Sequence, residues 1–309
     1  MQNNILENKA GYFKNDTKSH YSYLGTISQY KLNDDSVHFL DLSNNKWHGF
    51  KVINITKDSL ILENRTYSSL KYARKHYTPD TVFKYDQIAV SYYSTWGLGK
   101  SILVADNGEI ITVKPDTERK RLWTRSNIGS RKIDQLKYDF SIASPSKLKD
   151  EYSTGGDDGP EMSITFLKNG EIIKSIHDYM YGAPKELIWA YNHLRYIDQS
   201  AKQQPLMINS SPLNLFSMSL TANNKTALLT VSEAFYLCAL ISQAKETDHL
   251  FLKKFKFSFF SNLISKIQSD GQFYQFTYKN GSQKTYDIGF NFIERNASVL
   301  KFKDKTNNN

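Results

Sequence analysis

The chain has 309 residues, a formal net charge of +9 and one cysteine, Cys238. A single cysteine excludes an intrachain disulfide and a cysteine-based zinc site, and a chain this long buries enough surface to fold without either. The basic balance points to acidic partners or to a solvated lysine-rich surface, and the longest apolar run, residues 234–241, falls well short of the roughly 18–20 residues of a membrane span.

Residues 1–20 are polar and charged, with no apolar stretch behind a basic start. They read as a flexible arm rather than a secretory signal, and the expected location is the cytoplasm. Residues 21–78 read as a β meander, its short strands separated by the turn signals Asn33-Asp34-Asp35, Ser43-Asn44-Asn45 and Lys57-Asp58. Pro79-Asp80 marks a boundary.

The next stretch, residues 84–200, carries an internal echo. Residues 101–113 surround Asn107-Gly108, residues 163–176 surround Asn169-Gly170, and both read Asn-Gly-Glu-Ile-Ile. Asn-Gly between apolar alternations predicts a β-hairpin with a type I′ turn, because both residues tolerate positive φ. A helical segment follows each hairpin, one over residues 130–140 and one from Pro184 with Leu187, Ala190, Tyr191, Leu194 and Ile197 on one face. The expected unit is therefore a duplicated β-hairpin and helix.

Residues 205–303 predict a C-terminal α+β module. Thr230 and Glu233 have capping-box spacing, and the apolar run behind them makes Cys238 a packed core thiol. Residues 254–259 alternate with period two, and Asn280-Gly281 marks another hairpin. The fold class expected for the whole is α+β, built from mostly antiparallel β modules.

Several motifs invite a chemical reading and fail on their flanks. Gly97-x-Gly99-Lys100-Ser101 resembles a phosphate loop, but Ser94 stands where the first glycine belongs and a strand pattern follows where a helix must. Gly155-Gly156-Asp157-Asp158 pairs two carboxylates on a turn, as a divalent cation would need, but polar residues precede it and Gly159-Pro160 breaks the strand behind it. Asp157 and Asp158 are weak metal candidates only. His177 and Asp178 are neighbours on a strand and point to opposite faces. Ser144-x-x-Lys147 lacks the partner motifs of penicillin-recognising enzymes.

The most substantive feature is basic. Arg119, Lys120, Arg121, Trp123 and Arg125 are followed by Arg131 and Lys132. Guanidiniums pair bidentately with carboxylate or phosphate, and an interleaved Trp can stack on a base or anchor a protein contact. These seven residues are either a candidate contact set for a protein or a nucleic acid, or a solvated loop with Trp123 tucked into the core. Lys71, Arg74, Lys75 and His76 form a second basic cluster with the same ambiguity.

An ordered set of short motifs spans residues 84–200. It comprises Tyr85-Asp-Gln-Ile-Ala-Val, Gly97-x-Gly99, Asp106-Asn-Gly-Glu-Ile, Leu148-Lys-Asp-Glu-Tyr152, Asp157-Asp158, Ser163-Ile-Thr-Phe and His177-Asp-Tyr179-x-x-Gly182-x-Pro184. Together these resemble a family of domains of unknown function found largely in bacteria of the Bacteroidota type. Many of its members carry Cys-x-Gly-x-Cys-Pro in the first loop, whereas this chain has Trp96 and Lys100 around its glycines. A redox or metal role tied to those cysteines does not carry over. Residues 21–78 are similar to the lipocalin-like β modules of such proteins.

No coherent catalytic constellation emerges and no cofactor is expected. The expectation is a non-catalytic interaction protein of immunity or inhibitor type, with a protein partner. The alternative is a nucleic-acid binder using residues 119–125. Oligomeric state is left open.

Overall fold

The structure is a computed structural model that describes residues 4–16, 20–64, 69–94, 97–115, 121–206, 218–259, 261 and 263–304. The chain divides into two compact units, Met1–Pro79 and Asp80–Asn309, at the boundary expected from Pro79-Asp80. Among the described residues no helix is long and apolar enough to cross a membrane.

The first unit is a six-stranded antiparallel meander of β1 (Ile5–Asp16), β2 (His20–Asn33), β3 (Ser36–Asp41), β4 (Lys46–Ile55), β5 (Ser59–Glu63) and β6 (Leu70–Ala73). Spatial order follows chain order, with β1 and β6 as the edges. The meander was legible, but the flexible arm was not an arm. Residues 5–16 pair with β2 from Ile5 opposite Gln29 to Asp16 opposite His20. Polar Asn8-Lys9-Ala10-Gly11 interrupts the alternation and hides the strand. The register shifts there and Gly11 takes φ +83°. The fourteen residues of β2 offer a row of backbone donors and acceptors that a paired β1 satisfies. Phe39 packs on Phe50 with centroids 5.5 Å apart, and Val37 and Leu62 are buried.

Asp80 opens the second unit. Its carboxylate accepts the N–H groups of Val82 and Phe83, each at 3.1 Å, and of Ser146 at 3.0 Å. Burial opposes ionisation, but the Ser146 side chain and these three amides outweigh it and hold the carboxyl down at about 2. Stability from a depressed carboxyl is fully present above its unfolded value and is lost as pH falls through the folded one. Asp80→Ala is therefore expected to cost up to about 1 kcal/mol at neutral pH, the cost being limited by solvent screening. That deficit persists down to about pH 4 and shrinks as pH drops towards about 2, which urea midpoints of the two proteins across this range would show.

The second unit holds two eight-stranded sheets. The first contains β7 (Gln87–Ser94), β8 (Gly97–Ala105), β9 (Glu109–Pro115), β10 (Arg121–Asn127), β11 (Glu151–Ser153), β12 (Pro160–Lys168), β13 (Glu171–Tyr179) and β14 (Gln204–Pro205). Its order is β11-β13-β12-β7-β8-β9-β10-β14, and β11 with β13 is a parallel pair in an otherwise antiparallel sheet. Helices α1 (Ser130–Ile142) and α2 (Lys185–Arg195) pack against one face. Ile88, Val90, Ile102, Val104, Ile164 and Phe166 meet Leu136, Phe140, Leu187 and Leu194 there.

The second sheet contains β15 (Ser219–Ala222), β16 (Lys225–Leu228), β17 (Lys245–Thr247), β18 (Phe255–Ser258), β19 (Ile264–Ser269), β20 (Phe273–Tyr278), β21 (Gln283–Asp287) and β22 (Lys303–Asp304), with α3 (Val231–Gln243) and α4 (Phe292–Arg295). Residues 84–200 and 205–303 do not form separate modules. Ala89, Leu103, Ile111 and Val113 of the first sheet, Phe235 and Leu237 of α3, and Ile267, Tyr274 and Phe276 of the second sheet share one core. The physical reason is α3. Ten of its thirteen residues are buried, on every side of the helix, so it needs covering from both sides and each sheet supplies one.

Local chemistry places α3. Thr230 Oγ1 accepts the Glu233 N–H and the Glu233 carboxylate accepts the Thr230 N–H, completing the predicted capping box. The Ser232 N–H, another orphan of the first turn, is taken by Ser163 Oγ of β12 at 2.8 Å. Thr165 Oγ1 lies 2.7 Å from Ser232 Oγ. A row of hydroxyls on an apolar sheet thus receives the start of a buried helix, and Cys238 lies inside the shared core.

The duplicated hairpin and helix is not a strict repeat. Both hairpins exist, but β10 intervenes between the first hairpin and α1, and β7 separates the two hairpins in the sheet. The turns differ as well. Asn169 and Gly170 both take positive φ, +52° and +78°, as type I′ requires. At the first turn only Gly108 does so, at +85°, while its N–H bonds Ala105 O at 2.9 Å. That is a type I turn followed by a left-handed glycine. Any Cβ at Gly108 would lie 2.3 Å from Ile128 O, so the close passage of the chain before α1 demands glycine there.

Candidate functional site

The structure describes only part of the basic segment. Arg119 and Lys120 lie outside the described residues, and Arg121 begins β10. Trp123 is only 6% exposed, with its ring 5.6 Å from Phe235 of α3. Strand alternation points it into the shared core, so it cannot stack on a base or anchor a partner. Arg125 is half-buried, ion-paired with Glu109 at 2.9 Å and donating to Gln243 Oε1 at 2.9 Å. Arg131 and Lys132 are exposed in the first turn of α1. Lys71, Arg74, Lys75 and His76 are exposed in the first unit.

Gly97 to Lys100 starts strand β8, with no helix behind it. Asp157 and Asp158 are exposed on a loop, and no group of three or more metal-ligating side chains occurs among the described residues. His177 faces Glu161 at 3.3 Å, while Asp178 points the opposite way into the core.

A different cluster forms where β7, β8 and the end of α2 meet. The Arg195 guanidinium lies over the Tyr92 ring at 3.3 Å and 5.2 Å from the centre of the Tyr196 ring. Tyr181 lies near Tyr92 and is 44% exposed. Lys100 Nζ donates to the Arg195 carbonyl at 2.8 Å and to Asp198, which is 1% exposed. Gln203 donates to the other Asp198 oxygen at 3.1 Å and accepts from Lys114 at 3.1 Å.

The charges in this cluster do not cancel. Asp198 neutralises Lys100 and Lys114 has only an amide. No carboxylate among the described residues pairs with Arg195, whose contacts are with rings and whose backbone oxygen is the acceptor from Lys100. Burial pushes the Lys100 ammonium down, the cations Lys114 and Arg195 add to this, and Asp198 opposes it. Burial raises Tyr181 and Tyr196 while Arg195 pulls both down. Tyr181 and Tyr196 therefore keep their protons at neutral pH and can donate.

The backbone that presents Tyr181 is strained. Met180 and Tyr181 take φ of +55° and +57° in succession, a region bulky residues avoid at roughly 1–3 kcal/mol each. Surrounding bonds hold them. Asp178 accepts the Ala183 N–H at 3.0 Å and the Tyr191 hydroxyl at 2.8 Å, and Met180 N–H bonds Pro160 O at 2.9 Å. Burial and the Asp178 charge push Tyr191 far up, so it stays a donor. At Gly182 any Cβ would come within 3 Å of the Ser153 backbone, so this turn closes on β11 only with glycine.

Sequence reasoning missed Arg195 and its tyrosines. Tyr92 and Arg195 are far apart in the chain and no spacing links them. The one available signal was the pair of aromatics at 179 and 181 beside a helix that ends in Arg195-Tyr196. Neither a curated protein nor a solved structure matches the chain. Residues 101–198, about a third of the chain and including α2 with Arg195 and Asp198, match a family described as a domain of unknown function, DUF6438.

Proposed function

We propose that the chain is a non-catalytic interaction protein that binds another protein through the face made by Tyr92, Tyr181, Arg195 and Tyr196. The observation that carries this is Arg195, stacked on Tyr92 with no carboxylate against it among the described residues. Tyr and Arg are the side chains that concentrate binding energy at protein interfaces, because they offer large rigid area with a polar tip. Strain at Met180-Tyr181 is a further pointer, since backbone strain clusters where a side chain must be aimed. Nucleic acid is the weaker reading: Trp123 is in the core and Arg125 is paired, which leaves Arg131 and Lys132 as the exposed members whose side chains are described. Within the same proposal, residues 21–78 keep their likeness to lipocalin-like modules, as an open meander rather than a closed barrel.

Affinity capture with the tagged full chain as bait, from nuclease-treated native extract, tests this. A stoichiometric protein retained by the unaltered bait and by Lys132→Ala, but lost with the double substitution Tyr181→Ala and Arg195→Ala, is the expected result. A partner retained equally by all three baits, or one released by the nuclease, would overturn the proposal.

A further inference from the structure

We infer that Arg195 is the receiving group for a carboxylate. This rests on the interaction reading above and names what the partner brings to that face. The Arg195 guanidinium carbon lies 3.3 Å from the centre of the Tyr92 ring, and no carboxylate among the described residues pairs with its N–H groups. A carboxylate lying in the guanidinium plane takes two parallel N–H bonds. Tyr181, 44% exposed, adds a hydroxyl close enough to feel the Arg195 charge.

The electrostatics favour a monoanion. Lys100 is spent on buried Asp198 and on the Arg195 carbonyl, and it is 18% exposed. Lys114 is engaged with Gln203. Among the described residues one guanidinium then has no anionic partner, which matches a single negative charge. A phosphate dianion, with three acceptor oxygens, would call on cations that here have other partners. Arg295 offers a contrast within the same unit: it lies over Phe290 at 3.7 Å, and the nearby Tyr236 hydroxyl is committed to the Gly170 carbonyl.

The measurement is NMR of the arginine Nε–Hε resonances of the full chain, titrated with an end-blocked tetraglutamate peptide and, separately, with inorganic phosphate. One resonance, absent in Arg195→Lys, should move saturably with the peptide. Arg195→Lys should weaken binding roughly tenfold or more, because it keeps the charge and loses the fork. Arg295→Lys should leave the titration unchanged. Tighter binding of phosphate than of peptide, or no movement of the Arg195 resonance with the peptide, would overturn the assignment. The two readings fail separately. A captured partner that survives Arg195→Lys but not Tyr181→Ala sinks the carboxylate subsite and leaves the interaction reading intact. Peptide binding at Arg195 without any captured protein does the reverse.

Discussion

Replacing Phe235 by alanine should lower the stability of the second unit by about 3–5 kcal/mol. Phe235 is fully buried in α3, and its ring is packed on Trp123 of the first sheet. On the other side of the same helix, Tyr236 approaches Phe292 with centroids 6.1 Å apart and donates to Gly170 O. Removing the ring opens a cavity between layers that are already close-packed, and β-sheets held by their own ladders cannot collapse to fill it. Urea unfolding should show a lower midpoint with an unchanged slope. Hydrogen exchange should show the loss shared by peptides of both eight-stranded sheets, since α3 is their common core. If only the first sheet lost protection, the shared-core description would be wrong. Val82→Ala, at an 83% exposed position, should shift the midpoint little.

That helix also shows how far the sequence could be read. The capping box at Thr230 and the apolar run behind it predicted α3 and its buried thiol, because both signals are local. The meander and the Asn-Gly hairpins were legible for the same reason: turn chemistry and alternation act over a few residues. What failed was anything set by long-range partners. Strand β1 was hidden by Asn8-Lys9-Ala10-Gly11 and exists because β2 needs a neighbour. The split near residue 200 was inferred from two apparent modules, whereas a helix apolar on every side ties them together. Trp123 was open between a contact residue and a core tryptophan behind a basic loop, and only its long-range packing on Phe235 decides for the core. The Arg195 cluster had no local signature, since β7, β8 and α2 meet only in the folded sheet. Lys100 drew notice as part of a failed phosphate loop and proves to be the group that fixes this cluster.

Lys100→Met should therefore be among the most damaging substitutions outside the apolar core, at about 3–5 kcal/mol. Methionine keeps the length of the stem and removes the cation. Asp198, 1% exposed, would retain a charge with Gln203 as its remaining side-chain donor. An uncompensated buried carboxylate is costlier than the pair it replaces. The reverse change, Asp198→Asn, should cost less, because the Lys100 ammonium is 18% exposed and can reach towards water along its flexible stem. The double variant should be more stable than the sum of the two losses implies by at least about 1.5 kcal/mol, read from urea midpoints in a double-mutant cycle. Additive losses would mean that the pair does not interact. The two single variants should also part company at the binding face. Lys100 holds the Arg195 carbonyl, so Lys100→Met frees the end of α2 and should weaken tetraglutamate binding along with stability. Asp198→Asn leaves that tether in place and should keep the affinity while losing stability. The separation follows from geometry: one ammonium carries a bond to Asp198 and a second to the Arg195 carbonyl, and only the second bears on the proposed binding face.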